Sequence, residues 1–272
     1  MPTNTSDGLY KENLYASPLD LSEELPRLAA QARLLFAAQK FFIEGLKLPS
    51  PNTDAQFIDL GAGPGIHLSL VKTLFPQYKF TGIELSDKLF QYAKLNFPEI
   101  NWQQGSIYQI PTADAAFDIA QSSFIFIHLR EPTVALKEIY RVLKPGGTFF
   151  VLDVDDSTFK GMPEMETMVR EHDKIYEADR TIMSRMKAMA EAVGFTQIKE
   201  EFVHVDNTGK EDAPSIEYPH FHLGKMTFWS MFAFMGQRSE IAQHYELAHS
   251  QYLASAQNKC EISIAFHAYT KK

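Results

Sequence analysis

The sequence predicts an α/β protein whose doubly wound, mainly parallel sheet has seven strands, an antiparallel last strand and helices on both faces. Three observations carry this. Short apolar runs alternate with segments of helical period from residue 57 to residue 205. A glycine-rich turn, Gly61-Ala62-Gly63-Pro64-Gly65, joins the first run to a helical segment. Two late runs, 197–205 and 261–269, alternate apolar and polar residues like paired strands that close one edge of the sheet.

The elements follow in order. The first strand is expected at 57–60 and its helix at about 65–75; a second strand at 79–83 precedes a helix over 87–96, with Ser86 as its N-cap. A weak third strand lies at 101–103 and a fourth at 117–121. The next helix starts at Pro132 and stops at Lys144-Pro145-Gly146-Gly147, before a fifth strand at 148–154. Residues 163–193 keep a helical period up to Gly194.

Two segments stand outside this alternation. Residues 1–50 include an amphipathic helical region with Leu28, Leu34, Leu35, Phe42 and Leu46 among its apolar positions, and are expected to form a helical cap. Residues 206–260 form an insertion of about 55 residues between the last two strands, too long for a bare loop. If strand six runs with the central strands and strand seven returns, this insertion leaves and re-enters at the carboxyl ends, where open α/β sheets bind ligands. It is therefore a candidate lid, or else an interface. The core is then 51–205 together with 261–272.

Composition narrows the function. A formal net charge of -8 argues against a nucleic-acid partner, which demands a basic surface. Cys260 is the single cysteine, so an internal disulfide and a cysteine-built metal site are excluded. Residues 1–15 carry Asp7 and Glu12 without an apolar run, unlike a secretory signal, and the most apolar stretch, 226–235, is too short to span a bilayer. A cytoplasmic protein with no integral membrane segment is expected, and a homodimer is left open.

The strongest local signal is Phe57-Ile58-Asp59-Leu60-Gly61-Ala62-Gly63-Pro64-Gly65, an apolar strand running into closely spaced glycines. Glycines let the backbone turn sharply and approach a ligand, and a following helix N-terminus suits an anionic group. Glu84, about twenty residues on at the end of the next strand, is placed to accept hydrogen bonds from ribose hydroxyls. The third glycine comes one residue too early for a dinucleotide fingerprint, Ile66 standing where that glycine belongs.

This pattern resembles motif I of the class I S-adenosylmethionine-dependent methyltransferases, a Rossmann-like family. Thr81-Gly82-Ile83-Glu84-Leu85-Ser86 looks like its ribose-binding segment, Gly105-Ser106-Ile107 with Ile110-Pro111 like its adenine-binding segment, and Phe117-Asp118-Ile119 like its fourth strand. The run from Leu136 to Gly147 is similar to a segment typical of the ubiquinone and menaquinone biosynthesis methyltransferases. The resemblance implies S-adenosylmethionine as cofactor, held by Asp59, Gly61, Ala62, Gly63, Gly65, Glu84, Leu85, Ser106, Ile107 and Gln121. Ser106 departs from the family's usual Asp, so the adenine amino group meets an uncharged acceptor there, with Gln104 as a possible helper.

Methyl transfer from a sulfonium mainly requires alignment of the acceptor, and a base only for some acceptors. His128, just after the fourth strand, is the candidate base; the alternative is that it buttresses the following helix. Tyr10, Tyr15, 34–42 and 226–235 are candidate acceptor-pocket segments, and His204, His220 and His222 lie near or within the insertion. Asp153, Asp155 and Asp156 cluster after strand five, but no metal is expected: Asp156 and Ser157 read as the start of a turn or helix. The resulting expectation is methyl transfer to a small, partly apolar metabolite. Transfer of another group from the same cofactor, or a non-catalytic cofactor-binding scaffold, are the alternatives.

Overall fold

The computed structural model describes residues 21–50, 53–206, 242–254, 258 and 260–272. Its strands are β1 (Gln56–Leu60), β2 (Lys79–Glu84), β3 (Asn101–Gln104), β4 (Phe117–Ser123), β5 (Leu143–Lys160), β6 (Phe195–Asp206) and β7 (Glu261–Lys271). They form one sheet in the order β3-β2-β1-β4-β5-β7-β6, with only the β5/β7 and β6/β7 pairings antiparallel. The chain starts at the centre, winds outward through β2 and β3, then returns to wind the other way from β4. The reversal point lies between β1 and β4, and the crevice beyond their carboxyl ends is where such sheets take ligands.

Both faces are covered, as a mainly parallel sheet requires. Successive β1 residues pack into opposite layers: Phe57 joins a core with Leu68, Phe150, Met168 and Phe266, while Ile58 and Leu60 join one with Leu136, Phe149, Met186 and Tyr269. The first layer lies under α1 (Leu21–Glu44), α2 (Ile66–Lys72), α5 (Pro163–Ile175) and α7 (Ala242–Leu253). The second lies under α4 (Pro132–Val142) and α6 (Met183–Val193). Helix α3 spans Asp87–Asn96. Of the apolar positions expected in the first helical region, Leu35 and Phe42 are buried, and Leu28 and Leu46 are half-buried.

Three local expectations are corrected. Helix α2 is shorter than the expected 65–75. Ser86 occupies the N-cap of α3 without a capping side-chain bond; its own N–H donates to Glu84 instead, at 2.7 Å. The turn Lys144-Pro145-Gly146-Gly147 does not separate helix from strand, because β5 already begins at Leu143, where the Leu143–Phe117 pairing precedes a register shift.

The largest departure is the helical run 163–193, which divides into α5 and α6. The Asp179 carboxylate accepts from the Thr181 N–H at 2.8 Å and its hydroxyl at 2.7 Å, a local turn that competes with helix. The intervening residues 176–182 swing back to the sheet, where the Arg180 carbonyl accepts from the Asp156 N–H at 3.1 Å.

Candidate active site

The β1–α2 turn is built from left-handed backbone: Gly61 has φ +73° and Gly63 φ +57°. A Cβ at Gly61 would lie 2.4 Å from Ile125 Cδ1, so that glycine is required for packing. A Cβ at Gly63 meets nothing within 4 Å, because it points into open space. The Gly61 and Ala62 N–H groups both donate to the Ile83 carbonyl at 2.9 Å, and the Gly63 N–H donates to Glu84 Oε2 at 2.8 Å. The turn's first amides are thus spent on tying β1 to β2 rather than held out to a ligand.

One cavity of 210 Å³ lies over this turn. Asp59, Gly61, Ala62, Gly63, Glu84, Leu85, Ser106, Ile107 and His128 of the sequence-derived set line it, with Pro64 between the glycines. Gly65 caps α2 beneath it, with Trp102 and Phe97 against its Cα. Gln121 is fully buried behind Asp59, to which it is hydrogen-bonded, and bears on the cavity through that carboxylate. Gln104 donates to the Leu85 carbonyl at 3.4 Å. Ser106 Oγ accepts from the Tyr108 N–H at 3.1 Å and so shapes the adjoining loop.

Burial sets the charges here. It pushes the Asp59 carboxyl up to about 7, aided by the nearby Glu84 and opposed by the hydrogen bond from Gln121. Burial also raises Glu84, against hydrogen bonds from the backbone of Ser86, Gly63 and Leu85. Two carboxyls raised side by side make this a place where a cation is welcome and an anion is not.

Behind Asp59 runs a polar chain with no obvious sequence signal. Gln121 Nε2 and His67 Nδ1 are 3.3 Å apart, and His67 Nε2 contacts Gln39 Oε1 of α1. Burial depresses His67 to about 4, so it is neutral at ordinary pH. Gln39 Nε2 and Gln121 Oε1 are buried with no hydrogen-bond partner among the described residues. The Gln121 oxygen, next to Asp59, is an acceptor awaiting a donor.

The far end of the cavity is walled by Leu35 of α1, Phe159 of β5, Val169 of α5, and Ile262 and Ile264 of β7. His128 ends a 3-10 turn, Phe126–His128, held by the Asp153 carboxylate, which accepts from the Ile127 N–H at 3.3 Å. Its Nδ1 pairs with the Tyr176 hydroxyl, and burial, with Arg180, Arg27 and His172, depresses its pKa. Tyr176, Arg180 and Arg27 escaped the sequence reading. Asp156 departs from its expected role, pairing from within β5 with Arg180, whose Nη2 is 3.1 Å from Oδ1. Asp155 makes the turn instead, accepting from the Ser157 N–H at 3.0 Å. No metal-ligating cluster occurs among the described residues. Tyr10, Tyr15, His220, His222 and 226–235 lie outside the described residues. His204 is half-exposed on β6, 3.3 Å from Glu261.

Comparison with known proteins bears on the domain and the fold. Residues 58–151 match the methyltransferase-domain family. The chain is 32% identical over 100 residues to the ubiquinone/menaquinone biosynthesis C-methyltransferase UbiE of Desulfotalea psychrophila, covering 36% of this chain and 41% of that protein. It spans about two fifths of the length of curated relatives of this kind. Among solved structures, an S-adenosylmethionine-dependent methyltransferase from Thermotoga maritima shares the fold with a TM-score of 0.54 at 18% identity, covering 92% of this chain and 96% of that one. The phosphoethanolamine N-methyltransferase 2 of Haemonchus contortus, in complex with S-adenosylhomocysteine, matches with a TM-score of 0.51 at 18% identity over 82% of this chain and 50% of that one. Among the described residues no helix is long and apolar enough to cross a membrane. Residues 58–151 therefore match a methyltransferase domain, set in a fold shared with a solved S-adenosylmethionine-dependent methyltransferase.

Proposed function

We propose that this chain transfers the methyl group of S-adenosylmethionine to a small, partly apolar acceptor. The observation that carries the reading is the pair of buried, raised carboxyls, Asp59 and Glu84, beside a glycine turn that leaves open space at Gly63. A cofactor with a sulfonium and an ammonium group offsets the cost of ionising them, whereas a dinucleotide pyrophosphate would be repelled. Glu84 Oε2 accepts from the Gly63 N–H and Oε1 from the Ser86 N–H, and the carboxylate's remaining acceptor capacity suits a ribose hydroxyl. Asp59 is the acceptor for the ammonium end, backed by Gln121, while Ser106 and Ile107 border the adenine end.

When bound, the cofactor supplies an already activated methyl group. The chain's own task is to orient the acceptor and exclude water. Titration calorimetry with S-adenosylmethionine tests the reading: Glu84→Gln is expected to weaken binding about tenfold or more, by replacing a charged acceptor with a neutral one. Unchanged affinity would put the cofactor elsewhere.

His128 is proposed as the acceptor-side base, with Tyr176 fixing its ring. Because its pKa is depressed, the imidazole is neutral at ordinary pH. His128→Gln is expected to keep cofactor affinity and lose turnover by about 10²-fold; full turnover would reduce His128 to a buttress.

The division into a cap at 1–50, a core, and a lid at 206–260 is part of the same proposal. It is supported by the α1 residues that line the cavity, and by β6 and β7 ending side by side at Asp206 and Glu261. Replacement of 207–241 by a short flexible linker, which keeps α7 on the core, is expected to abolish turnover while the sheet remains folded; retained turnover would remove the lid. A cytosolic location fits the composition, and recovery of the native chain in a membrane pellet would contradict it.

A further inference from the structure

Two arginines from separate elements converge on the acceptor end of the cavity, Arg27 of α1 and Arg180 of the α5–α6 break. Both are buried, 5% and 8% exposed. Each is held by a carboxylate: the Arg27 Nε lies 3.1 Å from Glu24 Oε2, and Asp156 engages Arg180 through Nε and Nη2. Both pairs neutralise their arginine; Arg27 also donates from Nη1 to Gln31 Oε1 at 2.9 Å, while the Asp156 pair leaves a donor of Arg180 over. Arg180 Nη1 has no hydrogen-bond partner among the described residues, and the guanidinium is locked in place by its fork to Asp156, by the backbone bond to Asp156, and by the Tyr176 ring 5.9 Å below it. A rigid fork in a cavity that Phe159, Val169, Ile262 and Ile264 also line is suited to a planar or tetrahedral oxyanion on an apolar body.

We propose that the acceptor carries an acidic group, a carboxylate or phosphate, that Arg180 binds with support from Arg27, while its apolar body lies against Phe159, Val169, Ile262 and Ile264. This deepens the methyltransferase reading and rests on it. A cationic acceptor group would find no acceptor in the Arg180 fork, which offers only donors. Arg180 thereby determines specificity: it orients the acceptor so that the nucleophile at the other end of the molecule faces the glycine turn.

The test is calorimetry on the full chain saturated with S-adenosylhomocysteine, using acid probes against their neutral amides: phenylacetate against phenylacetamide, hexanoate against hexanamide, with phenyl phosphate as the phosphate arm. The acids are expected to bind about tenfold more tightly than the amides, and the phosphate arm tells which acid class is preferred. Arg180→Lys should reduce the preference by removing the fork. Should Arg180→Met not fold, the double variant Arg180→Met/Asp156→Asn removes both buried charges together; it should abolish the preference and leave S-adenosylhomocysteine affinity within about twofold of wild type. Equal binding of acids and amides, no binding by any acid, or a preference that survives the double variant would overturn the proposal. Loss of S-adenosylhomocysteine binding by the wild-type chain would instead overturn the methyltransferase reading.

Discussion

Gly63→Asn is expected to leave the chain folded and to weaken S-adenosylmethionine binding roughly a hundredfold. The two effects separate because of where the missing Cβ points. At Gly63, which lines the cavity, it meets no atom within 4 Å, and asparagine tolerates the left-handed backbone at φ +57° better than other side chains do. The stability loss should stay near 1 kcal/mol, while the amide fills space proposed for the methionine end of the cofactor. Gly61→Ala, two residues earlier, should behave in the opposite way. Its Cβ would lie 2.4 Å from Ile125 Cδ1 and 2.6 Å from Cγ1, at φ +73°, so Ile125 must move and stability falls by about 2–4 kcal/mol. Denaturant unfolding and titration calorimetry on the two variants measure both quantities. Native-like affinity in Gly63→Asn would mean that the cofactor does not lie over this turn.

The half of the site proposed to hold the cofactor was legible in the sequence because it depends on local chemistry. Glycines at fixed spacing after an apolar strand, and a carboxylate at the end of the next strand, are constraints on a few adjacent residues, and the structure brings Asp59, Gly61, Gly63 and Glu84 to one cavity. The sheet was legible for the same reason: apolar runs of strand length alternate with helical periods.

The proposed acceptor half was not legible. Tyr176 and Arg180 lie in a helical-looking run with no proline or glycine after Pro163, and only the Asp179 side chain, accepting from Thr181, marks the break. Arg27 lies on an amphipathic helix where an arginine reads as solvent-facing, yet it is 5% exposed, because Glu24 pairs with it and α1 lies over the cavity. The chain from Gln39 through His67 to Gln121 joins α1, α2 and β4, and no spacing rule links residues so far apart in sequence.

Asp156→Asn alone should destabilise the fold by about 3–5 kcal/mol, and adding Arg180→Met should recover most of that loss. Asp156 and Arg180 are 7% and 8% exposed, so each charge has given up its water for the other. Burial raises the Asp156 carboxyl, and the facing guanidinium opposes that rise; removing the carboxylate strands a guanidinium that cannot lose its proton. Removing both leaves an apolar side chain against an amide, a change that often costs little. Urea unfolding of the two single variants and the double variant closes the cycle, and additive losses would show that the pair is not coupled. A pair that can be replaced without large loss of stability is not explained by stability, and here it stands at the cavity wall with Arg180 Nη1 unpartnered among the described residues. Strong coupling in the cycle, together with lost acid preference in the double variant, would assign the ion pair to holding a recognition fork in place rather than to holding the fold together.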